Sequence, residues 1–377
     1  MQSPRLLILS FSPIRSDARV LKQVQLLKDR YRVTTCGYGS APDGVEDHVE
    51  IPSALVAWHF HKRSLIAHAY ERAYWSNPVI AHLRTTLTPG RYDAVLANDI
   101  ETAGLASWIA PVKGFHLDLH EYSPRMKEEV LRWRCFLGPF MSWMVRRYGV
   151  LASSTTTVGA RIAEEYGRKF RLEAAVVTNA APFVDCAPSP VGDPIRLVHS
   201  GAAKQGRHLD VTLDAMAAIR SNATLALYLT QNEGAYFEGL RRRIEHMPNV
   251  TLHPPVAYED LPATLNSYDV GVFLLPPVNF NHRWALPNKF FDFVQARLGI
   301  VMGPSPEAAN LLKSEGLGVV AEDFTAASFA SAIDSLNAVN VSSFKQAAHD
   351  SAERLAAAEQ VKRWGSAIDA LFSGSPT

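Results

Sequence analysis

Apolar runs alternate along the whole chain with segments whose apolar residues recur at helical spacing. The run at 5–10 (RLLILS) is nearly continuous, which predicts a strand covered on both faces. After it, Val20, Val24 and Leu27 fall on one side of a helix predicted over 19–28. A strand followed by a helix, repeated many times, is typical of parallel α/β layers. The sequence therefore predicts parallel sheets flanked by helices.

The alternation is interrupted once, by a segment rich in proline and small residues. Residues 180–194 read AAPFVDCAPSPVGDP and form the best linker candidate in the chain. Further strands are predicted at 31–37, 93–97, 115–119, 150–157 and 174–178 before it, and at 195–199, 224–229, 250–253, 270–275, 299–302 and 317–320 after it. The tail from 342 to 372 reads as helical, without another strand.

This arrangement predicts an α/β protein with two Rossmann-like, doubly wound domains facing across a cleft, and with helices at the C-terminus. We expect an N-terminal domain over 1–185, joined by a C-terminal helix at 358–377, and a second domain over 193–357. Ligands of such folds bind outside the carboxyl ends of the strands, so we expect the site there.

Composition narrows the class of protein. The 377 residues are 47% apolar with a net charge of +1, which gives no reason to expect a nucleic-acid partner. The three cysteines lack metal-site spacing and favour a reducing cytoplasm. The start reads as a strand rather than a signal peptide, and no run reaches the roughly 18–20 apolar residues that span a bilayer.

The most informative stretch is 285–303, ALPNKFFDFVQARLGIVMG. Pro287 suits the first turn of a helix, and the free amides and dipole of a helix start favour phosphate, to which Lys289 adds a cation. Asp292 follows Asn288 by one turn, and its carboxylate suits the vicinal diol of a ribose. An ordinary amphipathic helix with solvated charges is the alternative.

A second basic stretch is 199–208, HSGAAKQGRH, which follows a predicted strand and opens a helix. Gly201 lets a phosphate approach the backbone, and Arg207 offers a guanidinium that binds a diphosphate with two hydrogen bonds. A loop with surface charges would have the same composition, so this stretch alone leaves both interpretations open.

Together these stretches resemble the donor site of retaining GT-B glycosyltransferases of the large group 1 family, which is family 4-like. The family has PNKxFEY at the helix, and Asp292 matches its ribose-binding glutamate. Arg207 matches the lysine of a GRxxxxKG-like pattern. The family's earlier glutamate is Trp284 here, and the arginine after the first glycine is Ala202.

Because the family's glutamate and arginine are replaced here by Trp284 and Ala202, neighbouring basic residues become candidates for contacts with the donor. Lys204 is the candidate to compensate for the missing arginine, and Arg283 the candidate for a further contact with the donor, although a rim arginine without a ligand is equally compatible. The resemblance also implies that backbone groups at Val256 and Ala257 clamp the nucleobase, and that Asn288 and Lys289 belong to the donor site.

In the first half, 118–124 (DLHEYSP) closely resembles the family's D-x-H-E-Y-x-P. The resemblance implies that His120, at a strand end, hydrogen-bonds the donor sugar, with Glu121 as a secondary catalytic candidate; a purely structural histidine is the alternative.

The first loop, 11–20, is similar to the family loop that reaches the acceptor and the diphosphate. It places Asp17 and Arg19 among the acceptor-site candidates, or else pairs them with each other. Asn98 and Asp99 match another frequent family dipeptide at a strand end.

The resemblance implies an enzyme that moves a sugar from a UDP-, GDP- or TDP-sugar to an acceptor hydroxyl with retention of configuration. The acceptor would be a glycan, a lipid-linked molecule or a small molecule, in surface glycan, glycolipid or natural-product glycoside synthesis. No cofactor or metal is expected to be required, since no metal-ligand spacing occurs. A non-catalytic sugar- or nucleotide-binding protein on a degenerate GT-B scaffold and a nucleotide-sugar 2-epimerase remain alternatives. The absence of GxGxxG and GxxxxGK[ST] disfavours oxidoreductases and P-loop NTPases.

The segment 125–148 (RMKEEVLRWRCFLGPFMSWMVRRY) mixes cations with aromatic residues. Such a segment can lie in a membrane interface, which would place a cytoplasmic protein at the inner membrane face. A helix packed on its own domain through the same aromatic residues is the alternative.

Overall fold

A computed structural model describes residues 3–373, which form two compact units. The first unit contains the chain through Thr178, Asn279–Asn281 and the chain from Val361; the second contains Asn179–Val278 and His282–Gln360. The last four residues of the helix predicted at 358–377 lie outside the described residues. The functional domain boundaries 1–185 and 193–357 stay a prediction.

The first unit is built on a parallel sheet of seven strands within the described residues. The strands lie in the order β3-β2-β1-β4-β5-β6-β7. Their bounds are β1 Arg5–Pro13, β2 Arg32–Tyr38, β3 Asp47–Ile51, β4 Ala94–Asn98, β5 Phe115–Leu119, β6 Ser154–Thr157 and β7 Ala175–Val176. The order reverses direction between β1 and β4, so the carboxyl ends of these two strands flank the position where ligands of doubly wound sheets bind.

Helices separate these strands along the chain. They are α1 Ala18–Leu27, α2 Lys62–Ile66, α3 Tyr70–Trp75, α4 Pro78–Thr86, α5 Ile100–Ile109, α6 Gly138–Arg147 and α7 Ala160–Phe170. Asn77 caps α4 by accepting hydrogen bonds from Val79 and Ile80, and Pro78 occupies its first turn. This cap and the proline fix the start of α4 shortly after α3 ends at Trp75.

The second unit has a parallel sheet of six strands within the described residues, in the order β10-β9-β8-β11-β12-β13. The strands are β8 Ile195–Ala202, β9 Ala223–Thr230, β10 Val250–His253, β11 Val270–Phe273, β12 Gly299–Met302 and β13 Gly318–Val320. Here the switch point lies between β8 and β11. The buried strands β11 and β12 pack against Phe290, Phe293 and their neighbours in the core of this unit.

The helices of this half are α8 Leu209–Ala218, α9 Gly234–Ile244, α10 Leu261–Asn266, α11 Phe280–Arg283, α12 Asn288–Gln295, α13 Pro306–Glu315, α14 Ala326–Asp334, α15 Ala338–Ser351 and α16 Ala357–Ser373. The part of α16 from Val361 belongs to the first unit, where Trp364 is buried and its indole donates to Thr156 Oγ1 at 3.1 Å.

The predicted fold class, two doubly wound α/β units followed by C-terminal helices, is confirmed. One strand was not predicted. The edge strand β3 reads DHVEI and buries only its last residue completely among its five, so it lacks the apolar run that marks the central strands.

Candidate functional site

In the second unit, Lys289 in the first turn of α12 reaches back to the end of β8. Its Nζ donates to the carbonyl oxygen of Ser200 at 2.5 Å and lies 3.2 Å from Nε2 of His199. His199 is 3% exposed, and its Nδ1 donates to the carbonyl oxygen of Val272 at 2.8 Å. The predicted cation of the helix start is therefore fixed at the carboxyl end of a central strand.

Glycine is required at the adjacent position. Gly201 has φ +140°, a conformation that favours glycine, and a Cβ built on it would lie 2.7 Å from the Nζ of Lys289. The predicted close approach at Gly201 thus belongs to the lysine of this same unit, and its role toward a phosphate stays a prediction.

The surroundings of Lys289 lower its pKa. Burial, with a smaller effect of nearby Arg207, lowers the pKa of Lys289 to about 7, while Asp292 acts in the opposite direction. Burial and the charge of Lys289 also hold the pKa of His199 well below its usual range. His199 is therefore neutral, and the hydrogen bonds of Lys289 run to uncharged acceptors.

The other basic residues of the second unit lie on the turn that follows β8. Lys204 and Arg207 are exposed, and Arg207 ends a 3₁₀ turn at Gln205–Arg207 just before α8. Arg207 is close enough to influence the pKa of Lys289. The structure thus brings Gly201, Arg207 and Lys289 to one edge of the sheet.

Asp292, one turn along α12, lies beside a cavity of 240 Å³. The hydroxyl of Tyr258 donates to its Oδ1 at 3.4 Å, and burial together with this carboxylate raises the pKa of Tyr258. The lining is mainly apolar: Ala181, Pro182, Val184, Tyr258, Glu259, Leu261, Pro262, Asp292 and Gln295. The carboxylate is thus half-buried at a cavity rather than buried against a neighbouring helix.

The remaining donor-site candidates lie on the surface of the second unit. Asn288 is the exposed first residue of α12, and Arg283 is exposed with its guanidinium 5.3 Å from the ring of Trp284. Val256 and Ala257 lie in the loop after β10, where the carbonyl of Ala257 accepts from the amide of Asp260. Their contacts with a nucleotide stay predictions.

In the first unit, His120 follows β5 and is enclosed by acceptors. Its Nδ1 lies 3.3 Å from Asp99 Oδ2, and its Nε2 lies 3.0 Å from Asn98 Oδ1 and 3.4 Å from Asp118 Oδ2. Burial opposes the charged ring, but Asp99 and Asp118 outweigh it and raise the pKa of His120 to about 9. At neutral pH the ring is a cation that donates hydrogen bonds, so it is not available as a base.

Arg19, expected at the acceptor site or in a pair with Asp17, has its side chain inside the first unit. Its guanidinium is 6% exposed, donates to both carboxylate oxygens of Asp118 at 2.7 Å and donates to the carbonyl of Val177 at 2.9 Å. It also lies 4.7 Å from the ring of Trp364. Burial would raise the pKa of Asp118, but Arg19 and His120 hold it well below its usual range. Arg19 thus binds its own unit, and the expected acceptor or diphosphate contact loses its support.

The neighbours predicted with Arg19 have local roles as well. Asp17 caps α1, where its carboxylate accepts from the backbone amides of Arg19 and Val20. Asn98 is buried, accepts from Gln23 Nε2 and donates to Gln23 Oε1, both at 2.9 Å.

Asp99 and Glu121 have surroundings different from those of Asp17 and Asn98. Asp99 holds a positive φ of 64° between β4 and α5, where its carboxylate accepts from the amide of His120 at 3.1 Å. Glu121 is exposed, and its carbonyl accepts from the hydroxyl of Tyr166.

Sequence patterns missed Glu101, in the first turn of α5. It is 8% exposed, and within residues 3–373 neither carboxyl oxygen has a hydrogen-bond partner. Burial, reinforced by the charge of Asp99, raises its pKa to about 8. Sequence patterns also missed His199, the first residue of the basic stretch 199–208, and Tyr258, which follows Ala257. A glutamate within an otherwise apolar helix (IETAGLASWI) was the available signal for Glu101.

The segment 125–148 packs its aromatic residues largely inward. Trp133 is 4% exposed and Phe140 is fully buried, in ring contact with Trp58 and Phe60 respectively. The exposed apolar residues of the segment are Val130 and Leu131. The interpretation as a helix packed on its own unit therefore holds for these aromatic rings.

None of the helices within 3–373 is both long and apolar enough to cross a membrane. In the same part of the chain, no three His, Cys, Asp or Glu side chains are grouped so that they could hold a metal ion.

Known protein families do not identify the chain by sequence. No family model matches it, and no curated protein sequence does.

Solved structures do resemble it. An α,α-trehalose 6-phosphate synthase from Burkholderia multivorans aligns with a TM-score of 0.71 at 11% identity, over 99% of each chain. HepE from Anabaena in complex with UDP-glucose gives 0.69 at 14% identity, over 97% of this chain and 100% of that one. A glycosyltransferase from Rickettsia africae gives 0.70 at 9% identity, over all of both chains. At these identities the likeness shows a shared fold.

Proposed function

We propose that this chain is a glycosyltransferase that transfers a sugar from a nucleotide-diphosphate donor to an acceptor hydroxyl. The observation that carries the proposal is the arrangement along α12: Lys289 is directed to the end of β8 beside Gly201 and Arg207, while Asp292 lines a cavity of 240 Å³ one turn later. Cations and a close backbone approach suit the diphosphate, and a carboxylate beside a partly apolar cavity suits a ribose and its base.

The same proposal assigns the remaining groups. Arg207 and Lys289 offset the charge of the leaving diphosphate without a required divalent metal. Because both ring nitrogens of His120 face Asn98, Asp99 and Asp118, we assign it no hydrogen bond to the donor sugar. Transfer retains configuration, as the family 4-like resemblance implies. The solved relative HepE, described in complex with UDP-glucose, makes UDP the first nucleotide to test.

The decisive experiment is a thermal-shift panel of UDP, GDP, ADP and TDP and their glucose derivatives. A ligand at 100 times its dissociation constant stabilises the folded protein by about 2.7 kcal/mol, which such a melt resolves. Release of nucleoside diphosphate from a stabilising donor in the presence of acceptors supports an enzyme. Tight donor binding without release supports a non-catalytic binding protein, and no shift with any nucleotide contradicts the proposal.

The phosphate assignment has its own test. Arg207→Ala should weaken the binding of UDP by about 1.5–3 kcal/mol, which is the scale of a hydrogen bond to a charged group. The binding of uridine should be nearly unchanged. Isothermal titration of both ligands measures this difference. Equal losses for UDP and uridine would show that Arg207 does not contact phosphate.

We extend the proposal to a cytoplasmic enzyme whose acceptor is presented at an anionic membrane surface. Exposed Val130 and Leu131 lie among the exposed cations Lys127, Arg132 and Arg134, a combination that attracts anionic lipid. Leu131→Glu should reduce sedimentation with phosphatidylglycerol vesicles, whereas Val339→Glu, at an exposed valine of the second unit, should not. Equal sedimentation of these variants and the wild type would remove this extension.

A further inference from the structure

His199 is a buried histidine whose protonation is fixed by its neighbours. Its Nδ1 lies 2.8 Å from the carbonyl oxygen of Val272, and a carbonyl can only accept, so Nδ1 carries the hydrogen. Burial and the adjacent lysine keep the ring neutral. The lone pair of Nε2 therefore remains to accept a hydrogen bond from the Nζ of Lys289, 3.2 Å away.

Lys289 has a limited number of donors to share. An ammonium group carries three N–H bonds. One is directed to the carbonyl of Ser200 and one to Nε2 of His199, which leaves a third. Gly201, which offers no Cβ, gives Nζ the room to occupy this position.

The two acceptors of Lys289 are uncharged, and this determines how much of its charge remains for a ligand. A carboxylate in their place would orient the ammonium group but also neutralise it. A neutral imidazole and a carbonyl orient it and leave its charge for an incoming anion. Within residues 3–373 neither hydrogen-bond acceptor of this half-buried cation carries a charge, so a bound anion would supply the counter-charge in direct contact with Nζ. Phosphate is the anion that fits a lysine as a point charge.

We propose that His199 is a positioning residue: together with the Ser200 carbonyl it orients Lys289 so that the remaining N–H of Nζ meets an oxygen of the donor diphosphate. The inference rests on the proposed function and names a residue in it that binds no ligand itself.

The arrangement couples binding to a proton. The groups that face Nζ are His199 from β8, Arg207 from the turn after β8 and Asp292 from the same helix. With a pKa of about 7, Lys289 is mostly neutral at pH 8, and a bound phosphate raises that pKa. Diphosphate binding at pH 8 should therefore take up protons, whereas nucleoside binding should not.

The test compares His199→Asn with His199→Gln by isothermal titration at pH 8. Asparagine keeps a donor for the Val272 carbonyl but loses the acceptor for Lys289, whereas the longer glutamine places an amide oxygen near the position of Nε2. The ligands are UDP, uridine and inorganic pyrophosphate, which does not depend on the base. The matched control is His246→Asn, at an exposed histidine of the same unit.

We expect His199→Asn to weaken the binding of UDP and of pyrophosphate by about 5- to 30-fold, which is the scale of one hydrogen bond to a charged group. The affinity for uridine should change by less than about twofold. Glutamine should restore part of the loss. Titrations at pH 7 in buffers of different ionisation heat should show greater proton uptake in His199→Asn, because the lysine of the variant has one acceptor fewer and is less protonated before the ligand binds.

Two results overturn the inference. Unchanged UDP affinity and proton uptake in His199→Asn, with wild-type protein binding UDP, removes the role of His199 and leaves the proposed function intact. Wild-type protein that binds neither pyrophosphate nor any of UDP, GDP, ADP and TDP contradicts the proposed function and this inference together. If the asparagine variant does not fold, Gly201→Ala should displace Nζ and give the same selective loss; equal losses for UDP and uridine would then count against the inference.

Discussion

Two charged clusters, one in each unit, treat their buried charges in opposite ways. In the first, Arg19, Asp118, His120 and Asp99 compensate one another at distances of 2.7–3.4 Å. In the second, the half-buried Lys289 is oriented by a neutral histidine and a carbonyl, and its pKa falls to about 7. A compensated cluster holds its own structure together, whereas an under-compensated cation is prepared to receive an anion.

The comparison also separates two kinds of strand end. Both clusters lie at carboxyl ends of strands beside a switch point, where sequence reasoning expects ligands. Position alone therefore does not distinguish a structural charge from a binding charge. The identity of the partners does, and it predicts which substitutions should affect folding and which should affect ligand affinity.

The largest expected effect comes from breaking the compensated cluster. Arg19→Met keeps much of the side-chain volume but leaves Asp118 buried without its bidentate partner. We expect the first unit to lose about 3–5 kcal/mol of unfolding free energy. Urea denaturation followed by tryptophan fluorescence measures this loss, because Trp284 alone of the seven tryptophans lies outside the first unit.

The control for that experiment is Arg15→Met. Arg15 is an exposed residue 3.7 Å from exposed Asp43, so its loss should cost less than about 1 kcal/mol. Similar losses for Arg15→Met and Arg19→Met would contradict the assignment of a buried, compensated pair.

The two units should respond to pH with opposite signs. The folded pKa of His120 is about 9 against an ordinary 6.5, so its stabilisation is complete below pH 6.5 and is lost as pH rises through 9. Glu101, at about 8 against 4.5, acts in the same direction, since the unfolded chain releases that proton first. Lys289, at about 7 against 10.5, gains stability as pH rises, because the unfolded chain binds more protons there.

Glu101→Gln sharpens this difference. It removes the ionisation but keeps the shape, so we expect the first unit to be more stable at pH 8 by about 3 kcal/mol and less sensitive to pH between 5 and 8. Denaturation curves at pH 5.5, 7 and 8.5 in a Trp284→Phe background report the first unit. A pH dependence identical to that of the parent protein would show that Glu101 is not a buried, protonated carboxyl.

Asp292 should affect ligand affinity without a matching loss of stability. Asp292→Asn removes the charge proposed to accept hydrogen bonds from the ribose, and we expect both UDP and uridine to weaken by about 1–3 kcal/mol. Isothermal titration measures both. Glu353→Gln, at an exposed acid of the same unit that does not line the cavity, is the control and should bind normally. Unchanged affinity in Asp292→Asn would remove the ribose assignment.

The smallest effect is expected at Tyr258. Its hydroxyl donates to Asp292 at 3.4 Å and the residue is 55% exposed, so this hydrogen bond is weak. Tyr258→Phe should change UDP affinity by less than about 1 kcal/mol. A larger loss in titration would mean that the hydroxyl itself contacts the nucleotide.

The sequence by itself determined the architecture, because buried parallel strands must be apolar along their length and helices must repeat their apolar residues every three or four positions. It also located the stretches around Gly201, Lys289 and Asp292. Glycine, proline and charged residues at the ends of strands and helices can be recognised in a sequence, because few other residues fit those positions. The edge strand β3 was not predicted, because it buries too few residues to show an apolar pattern in the sequence.

Only the tertiary structure decided how the charges are partnered. Arg19 and Asp118 are far apart along the chain, as are His199 and Lys289, and no local pattern encodes which polar groups the strand order brings together. That pairing fixed Arg19 as internal, made His120 a cation and left Glu101 protonated. The physical reason is that the pKa and availability of a charged group depend on its burial and its neighbours in space, which the order of residues does not state.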